Sequence, residues 1–244
     1  MGKVTVITSG KGGTGKSTLA AGLGASLVRR GNRVLIIDCD AGMRGIDLML
    51  GVSGELVFDI ADIVNGNCMP ANAIYPCKTV PELYILPAPQ NVRDKVSPYI
   101  MRQLVRVLVK YYDHILIDCP AGIGMGFESA AAAAERALIV ANAEPLSLRG
   151  CDKVRSKLRQ MNIPEILLII NRFNERKFRR LNVFPDLDAV IDRAGARLLG
   201  IVPEDNAAAA CAQRGEPVEG RMKAVYAFDR IAARLDGSDA PLEL

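Results

Sequence analysis

The sequence predicts an α/β fold, a mostly parallel sheet with helices on both faces, and three observations point to it. Short apolar runs recur along the chain with little polar interruption, as strands buried on both faces do. Amphipathic helical stretches separate them, the alternation from which parallel sheets are built. The first run leads directly into a glycine-rich loop and then a helix, the order of a phosphate-binding unit. No repeat, low-complexity tract or flexible linker divides the 244 residues. A single domain over 1–244 is therefore expected, with a core at about 2–235 and a short acidic tail at 236–244.

Val4-Thr5-Val6-Ile7-Thr8 is the first strand, rich in β-branched residues. A helix follows from about Lys16 to Arg30, and Gly31-Asn32 ends it because both residues tolerate the left-handed conformation found there. Val34-Leu35-Ile36-Ile37-Asp38 is the second strand. Further strands are expected at 83–86, 114–118, 137–141, 166–170 and 198–202. Helical periodicity marks 97–111, 127–135, 147–160, 186–194 and 222–235. The alanine run at 130–134 falls in one of these and suits close helix packing.

Composition narrows the class. Half the residues are apolar and 24% charged, which argues against disorder. A net charge of +4 permits an acidic partner but carries no domain-wide basic excess, so nucleic-acid binding is not expected. Six cysteines are scattered without a C-x-x-C pair, and His114 is the single histidine, which disfavours a zinc site. No secretion leader precedes the first strand and no apolar stretch is long enough to span a bilayer. A cytoplasmic chain with free thiols is the reading.

The chemistry starts at Gly10-Lys11-Gly12-Gly13-Thr14-Gly15-Lys16-Ser17-Thr18, which contains G-x-x-x-x-G-K-[ST]. Chance should produce this pattern roughly once per hundred chains of this length. Here it also stands between a strand and a helix. Glycines let backbone N–H groups converge on phosphate oxygens, and the helix dipole adds to the attraction. Lys16 is placed to reach the β- and γ-phosphates of ATP, and the Ser17 hydroxyl to ligate Mg²⁺. Mg²⁺ prefers oxygen ligands and retains waters, which carboxylates at neighbouring strand ends can hold. Two strands end suitably, in Asp38-Cys39-Asp40 and in Asp118-Cys119-Pro120. Lys11 is a surplus charge inside the loop.

These residues resemble the MinD/ParA family of deviant Walker A ATPases. Lys11 with Lys16 carries the resemblance, together with the run from Asp38 through Arg44 and Asp47 to Leu48 and Asp118-Cys119-Pro120-Ala121-Gly122-Ile123. Tyr84-Ile85-Leu86-Pro87-Ala88, Asn171-Arg172 and Gly200-Ile201-Val202-Pro203-Glu204-Asp205 follow in matching order. The pattern D-x-G-x-R-x-x-D-L places it on the MinD side of the family. The resemblance implies an ATP-dependent homodimer in which Lys11 contacts the partner's phosphates, much as an arginine finger does. It further implies that Asp40 orients the attacking water, that Asp38 and Asp118 support Mg²⁺ through water, and that Asn171, Pro203, Glu204 and Asp205 surround adenine and ribose. Residues 40–50 and 119–127 then act as switches. Arg44, Asp47, Gly122 and Asp152 mark a surface for a regulatory protein. The implied task is a spatial switch in cell division, namely septum-site selection.

Three features depart from that pattern or stand outside it. The MinD type carries a basic amphipathic C-terminal helix, whereas the tail after Leu235 has three acids, no base and a proline. Membrane contact is thereby doubtful unless a partner supplies it. Gly45 stands where asparagine is common. Residues 172–180 form a basic run with two aromatics, read as a solvated face with the aromatics tucked inward. The rival readings are a DNA-partition or flagellar-number ATPase, a small-molecule ligase with a pocket beside the γ-phosphate, and an adaptor with negligible turnover.

Overall fold

The computed structural model describes residues 2–41, 44–91, 94 and 96–243. Gly42 and Met43, inside the first expected switch, lie outside that set. Eight strands form one sheet: β1 (Lys3–Thr8), β2 (Val34–Asp38), β3 (Tyr75–Pro76), β4 (Leu83–Leu86), β5 (His114–Asp118), β6 (Arg136–Ala141), β7 (Glu165–Phe173) and β8 (Arg197–Pro203). Their spatial order is β3-β4-β2-β5-β1-β6-β7-β8, and β3 is the antiparallel member. Each strand expected from the sequence is present. β3 had no signal because a pair of residues shows no periodicity.

The helices are α1 (Lys16–Arg29), α2 (Gly45–Met49), α3 (Ile60–Val64), α4 (Pro98–Leu108), α5 (Met125–Ala131), α6 (Pro145–Gln160), α7 (Glu175–Leu181), α8 (Leu187–Ala194), α9 (Asn206–Arg214) and α10 (Lys223–Leu235). Strand side chains alternate between two cores. Val4, Val6, Leu35 and Ile37 meet α4, α5, α6 and α8 on one face. Ile7, Val34 and Ile36 meet α1, α2 and α10 on the other.

Two helix ends differ from expectation for local reasons. α5 begins at Met125 and stops at Ala131, so the alanine run is only partly helical. The Glu135 amide bonds the Val4 carbonyl at 3.2 Å while its carboxylate accepts the Val4 amide at 3.1 Å, which turns the chain out of the helix and into β6. α4 starts where the Ser97 hydroxyl accepts the Ile100 amide at 3.3 Å, and it ends three residues short of Tyr111. The basic run contains α7, capped by the Asn174 side chain on the Lys177 amide. Phe178 there packs on Phe173 with ring centroids 5.3 Å apart, so the aromatics do tuck inward. Among the described residues no helix is long and apolar enough to cross a membrane.

Candidate functional site

β1 and β6 are neighbours whose onward connections run in opposite directions, to β2 on one side and β7 on the other, which opens a crevice at the carboxyl ends of the strands. The glycine loop occupies that crevice. Gly13 and Gly15 take φ of 75° and 93°, backbone that other L-residues rarely adopt. Gly15 meets a second demand, since a Cβ there would fall 2.4 Å from the Asn171 amide nitrogen. Asn171, from β7, donates to the Thr14 carbonyl at 2.7 Å and fixes the back of the loop. Gly10 and Gly12 approach other backbone or side chains rather than needing positive φ; Gly12 faces Ala121. Thr14 and Lys16 are buried, and Ser17 and Thr18 open α1.

Sheet register brings the acids together. Asp38 and Asp118 are paired neighbours at the ends of β2 and β5, and Asp118 also stands opposite Ile7 of β1. Ser17 donates its hydroxyl to Asp118 Oδ2 at 2.6 Å. Asp118 Oδ1 is buried with no hydrogen-bond partner. Asp38 Oδ1 accepts the Asp40 amide at 2.8 Å, which sets the exit of the chain from β2.

Burial drives the acidity of this group. It pushes Asp118 up to about 7, against the Ser17 hydrogen bond and the Lys16 charge, while Asp40 adds to the rise. Asp38 is also pushed well above the usual carboxylate range, by burial first and the neighbouring Asp118 charge second. Lys16 offsets only part of the charge of two carboxylates side by side in a buried site, which a bound cation would complete. The donor set of hydroxyl and carboxylate oxygens suits Mg²⁺, as does the orphaned Oδ1. The described residues contain no cluster of three or more His, Cys, Asp or Glu able to hold a metal alone, so phosphate and water must complete the shell. Burial likewise raises the Cys39 and Cys119 thiols, the latter to about 12, which leaves both as protonated packing groups.

The expected base-binding residues line one cleft of about 350 Å³ beside the loop, with Asn171, Pro203, Glu204 and Asp205 on its wall. The Asp205 carboxylate is engaged by backbone, accepting from Ala207, Ala208 and Ala224, so its side chain caps α9. Arg172, which the sequence marked only as part of the family pattern and the basic run, also lines this cleft, as do Asn206 and Gln213, which were not singled out. A helix signal for α9 was available in Asp205, the alanines and Gly215, a cap-to-cap pattern.

Lys11 sits at the rim of the loop. Its ammonium lies 3.3 Å from Glu144, and both side chains are about half exposed at 44% and 49%. Near this rim are exposed apolar residues. Ile123 and Met125 follow Ala121, which faces Gly12, and Leu146 follows Glu144. Of the expected partner surface, Arg44 and Asp47 sit together at the start of α2, 4.0 Å apart. Gly122 takes φ 95° in the loop after β5, and Asp152 pairs with Arg155 on α6. They therefore occupy separate elements.

Residues 5–218 match the family model described as the CobQ/CobB/MinD/ParA nucleotide binding domain. The chain belongs to the CobQ/CobB/MinD/ParA family. Within that family it is of the MinD type. It is 38% identical to the septum site-determining protein MinD of Synechocystis, across 99% of this chain and 92% of that protein. The Bacillus subtilis MinD is 34% identical, covering 100% of this chain and 92% of the relative. Among solved structures, MinD in the MinC:MinD cell division complex of Aquifex aeolicus superposes with a TM-score of 0.91 at 35% identity, over 99% of this chain and 98% of that one. MinD of Pyrococcus horikoshii complexed with Mg-ADP gives 0.85 at 32% identity, over 97% and 96%.

Proposed function

We propose that this MinD-type chain binds ATP with Mg²⁺, hydrolyses it slowly, and pairs with a second copy around the nucleotide as a cytoplasmic spatial switch in septum-site selection. The observation that carries this reading is Lys11, half exposed and paired with Glu144 at a solvent-facing rim. A cation so placed serves a neighbour across the rim better than its own γ-phosphate. The exposed Ile123 and Met125 and the nearby Leu146 supply apolar surface for such a contact.

In this reading the loop amides and Lys16 hold the phosphates. Ser17 ligates Mg²⁺ directly, and Asp38 and Asp118 hold its waters. When bound, the ion would neutralise charge on the β- and γ-oxygens. Asp40 orients the attacking water, and the partner's Lys11 offsets the charge that develops on the phosphoryl group. Asn171, Pro203 and Glu204 shape the base pocket, with Asp205 contributing through the helix it caps. Since the Aquifex relative is paired with MinC, a regulatory protein is the expected partner, at the surface marked by Arg44, Asp47, Gly122 and Asp152. Contact with a membrane would come through such a partner.

A ligase acting on a small carboxylate is less well supported. The cavity of about 380 Å³ between the expected switches carries Asp40 and Asp94 and, among its described lining residues, no base. The test is Lys11→Ala, followed by light scattering with Mg-ATP and calorimetry with Mg-ADP. Loss of the ATP-dependent dimer with ADP affinity kept within about threefold is expected, because a half-exposed ion pair contributes little to the monomer. Wild-type dimerisation by the variant would overturn the role assigned to Lys11.

A further inference from the structure

Beyond the exposed Lys11–Glu144 pair at its start, α6 meets the phosphate loop backbone to backbone, through glycine on glycine. A Cβ built on Gly10 would lie 2.2 Å from the Gly150 carbonyl carbon, and one built on Gly150 would lie 2.5 Å from the Gly10 oxygen. Real Cβ atoms do not come this close to backbone, so either glycine keeps its place only while both lack side chains. Neither has the positive φ that would give a separate reason for glycine. Gly150 also stands inside a helix, where glycine is among the least favoured residues. The close approach is the feature that requires it.

The two sides of this contact differ in firmness. α6 is anchored in the core by Leu148, Cys151, Val154 and Leu158, all fully buried. Its start is held by the Ser147 hydroxyl, which accepts the Asn142 amide at 3.0 Å. The loop is held by hydrogen bonds and an exposed ion pair: Ser9 Oγ on the Lys11 carbonyl at 2.7 Å, Asn171 on Thr14, Ser17 on Asp118 and Lys11 with Glu144. Residues 9–15 carry no apolar side chain to anchor it. Any added bulk at the contact must therefore displace the loop rather than the helix.

We infer that Gly150 is a positioning residue for nucleotide binding: α6 serves as a backstop that sets the height of the phosphate loop at Gly10. Binding and the placement of the second turn of α6 are then one coupled movement. The same helix continues to Arg155, which donates to the Gly195 carbonyl at 2.6 Å at the end of α8. Phosphate occupancy thus has a rigid path from the loop to the outer surface of α6 and α8. This rests only on nucleotide binding, and neither hydrolysis nor dimerisation enters it.

The experiment compares Gly150→Ala with Leu148→Ala, a variant that hollows the core beside α6 and leaves the glycine contact intact. Mg-ADP affinity is measured by calorimetry and melting temperature without nucleotide by scanning calorimetry. The expected result is at least a tenfold loss of ADP affinity in Gly150→Ala with a melting temperature that falls no further than in Leu148→Ala. Leu148→Ala should show a lower melting temperature with ADP affinity within about threefold. A Gly150→Ala protein that binds ADP like wild type, or a Leu148→Ala protein that loses as much ADP affinity as Gly150→Ala for an equal fall in melting temperature, overturns the inference. Hydrogen exchange on the wild-type chain tests it without a variant. Mg-ADP should slow exchange at the amides of 148–152 as well as in the loop, and unchanged exchange there counts against the backstop. A failure of Lys11→Ala to abolish dimerisation would leave these outcomes untouched.

Discussion

β5 has a titratable residue at each end, and the two ends are built on opposite rules. At its start, buried His114 meets Asp236 through Nε2 at 3.0 Å, and the same carboxylate accepts from Arg30 at 2.8 Å and Asn32 at 3.3 Å. Burial works against the Asp236 charge, but Arg30, His114 and Asn32 outweigh it and hold the acid below its ordinary range. At its other end Asp118 has one hydroxyl, an orphaned oxygen, acids for neighbours and the Lys16 charge, which does not outweigh burial. The fold completes the first carboxylate from its own side chains. It satisfies the second only in part. A carboxylate that the chain itself satisfies is structural, whereas a buried one left short of a counter-charge marks where a ligand is expected.

Neutralising each acid should therefore give opposite results. Asp118→Asn removes a poorly compensated buried charge, so the nucleotide-free protein should melt no lower than wild type. Its Mg²⁺-dependent gain in ADP affinity should fall by roughly 10–100-fold, the usual cost of disturbing groups around a bound metal. Calorimetric ADP titrations with and without Mg²⁺ measure this, and an unaltered Mg²⁺ effect would break the comparison. Asp236→Ala should instead leave ADP binding unchanged and destabilise the fold by about 1–2 kcal/mol. Hydrogen bonds to charged groups contribute somewhat more when fully buried, but partial exposure screens these. The melting temperature should drop by roughly 3–6 °C in a chain of this size.

How much of this could be read from the sequence follows the same division. The phosphate end was legible because its residues are constrained locally: glycines at positive φ, a lysine and hydroxyl at fixed spacing, and acids at strand ends. The His114 end was not. Its partners Arg30, Asn32 and Asp236 are 84, 82 and 122 residues from His114 in the chain, numbers that follow from their positions. Only the sheet and α10 bring them together, so His114 read only as a lone histidine unsuited to a zinc site and the tail as a short acidic segment. Gly150 was overlooked for the same reason, since a glycine inside a helical pattern announces no contact. α2 and α3 are five residues each, too short for a helical period to register. α7 was hidden by its charge, because a basic run reads as solvated surface whether or not it is helical.

The finest test of the comparison is its pH dependence in metal-free protein. The raised Asp118 and Asp38 are protonated in the folded chain at pH values where an unfolded aspartate is ionised. The folded state then holds more protons, so this end loses stability as pH rises from about 4 toward about 7. His114 acts in the other direction. Burial lowers it below its ordinary 6.5 despite the charge and hydrogen bond of Asp236. Below that value an unfolded histidine takes a proton that the folded one refuses, so this end loses stability on acidification. Asp236 adds to that loss only below 3.8, outside the window of interest. Between about pH 7 and about pH 5 the two ends therefore oppose each other. The double variant Asp38→Asn/Asp118→Asn removes one of them, and its melting temperature should fall more steeply with acid than that of wild type. Replacing His114 by Gln should shift the slope the opposite way. The difference is expected to be a few degrees at most, because coupled acids titrate as a pair and part of their shift is shared. Saturating Mg-ADP should shrink the difference between wild type and the double variant by supplying the missing charge. Equal slopes in all three proteins would mean that the two ends of β5 are electrostatically alike.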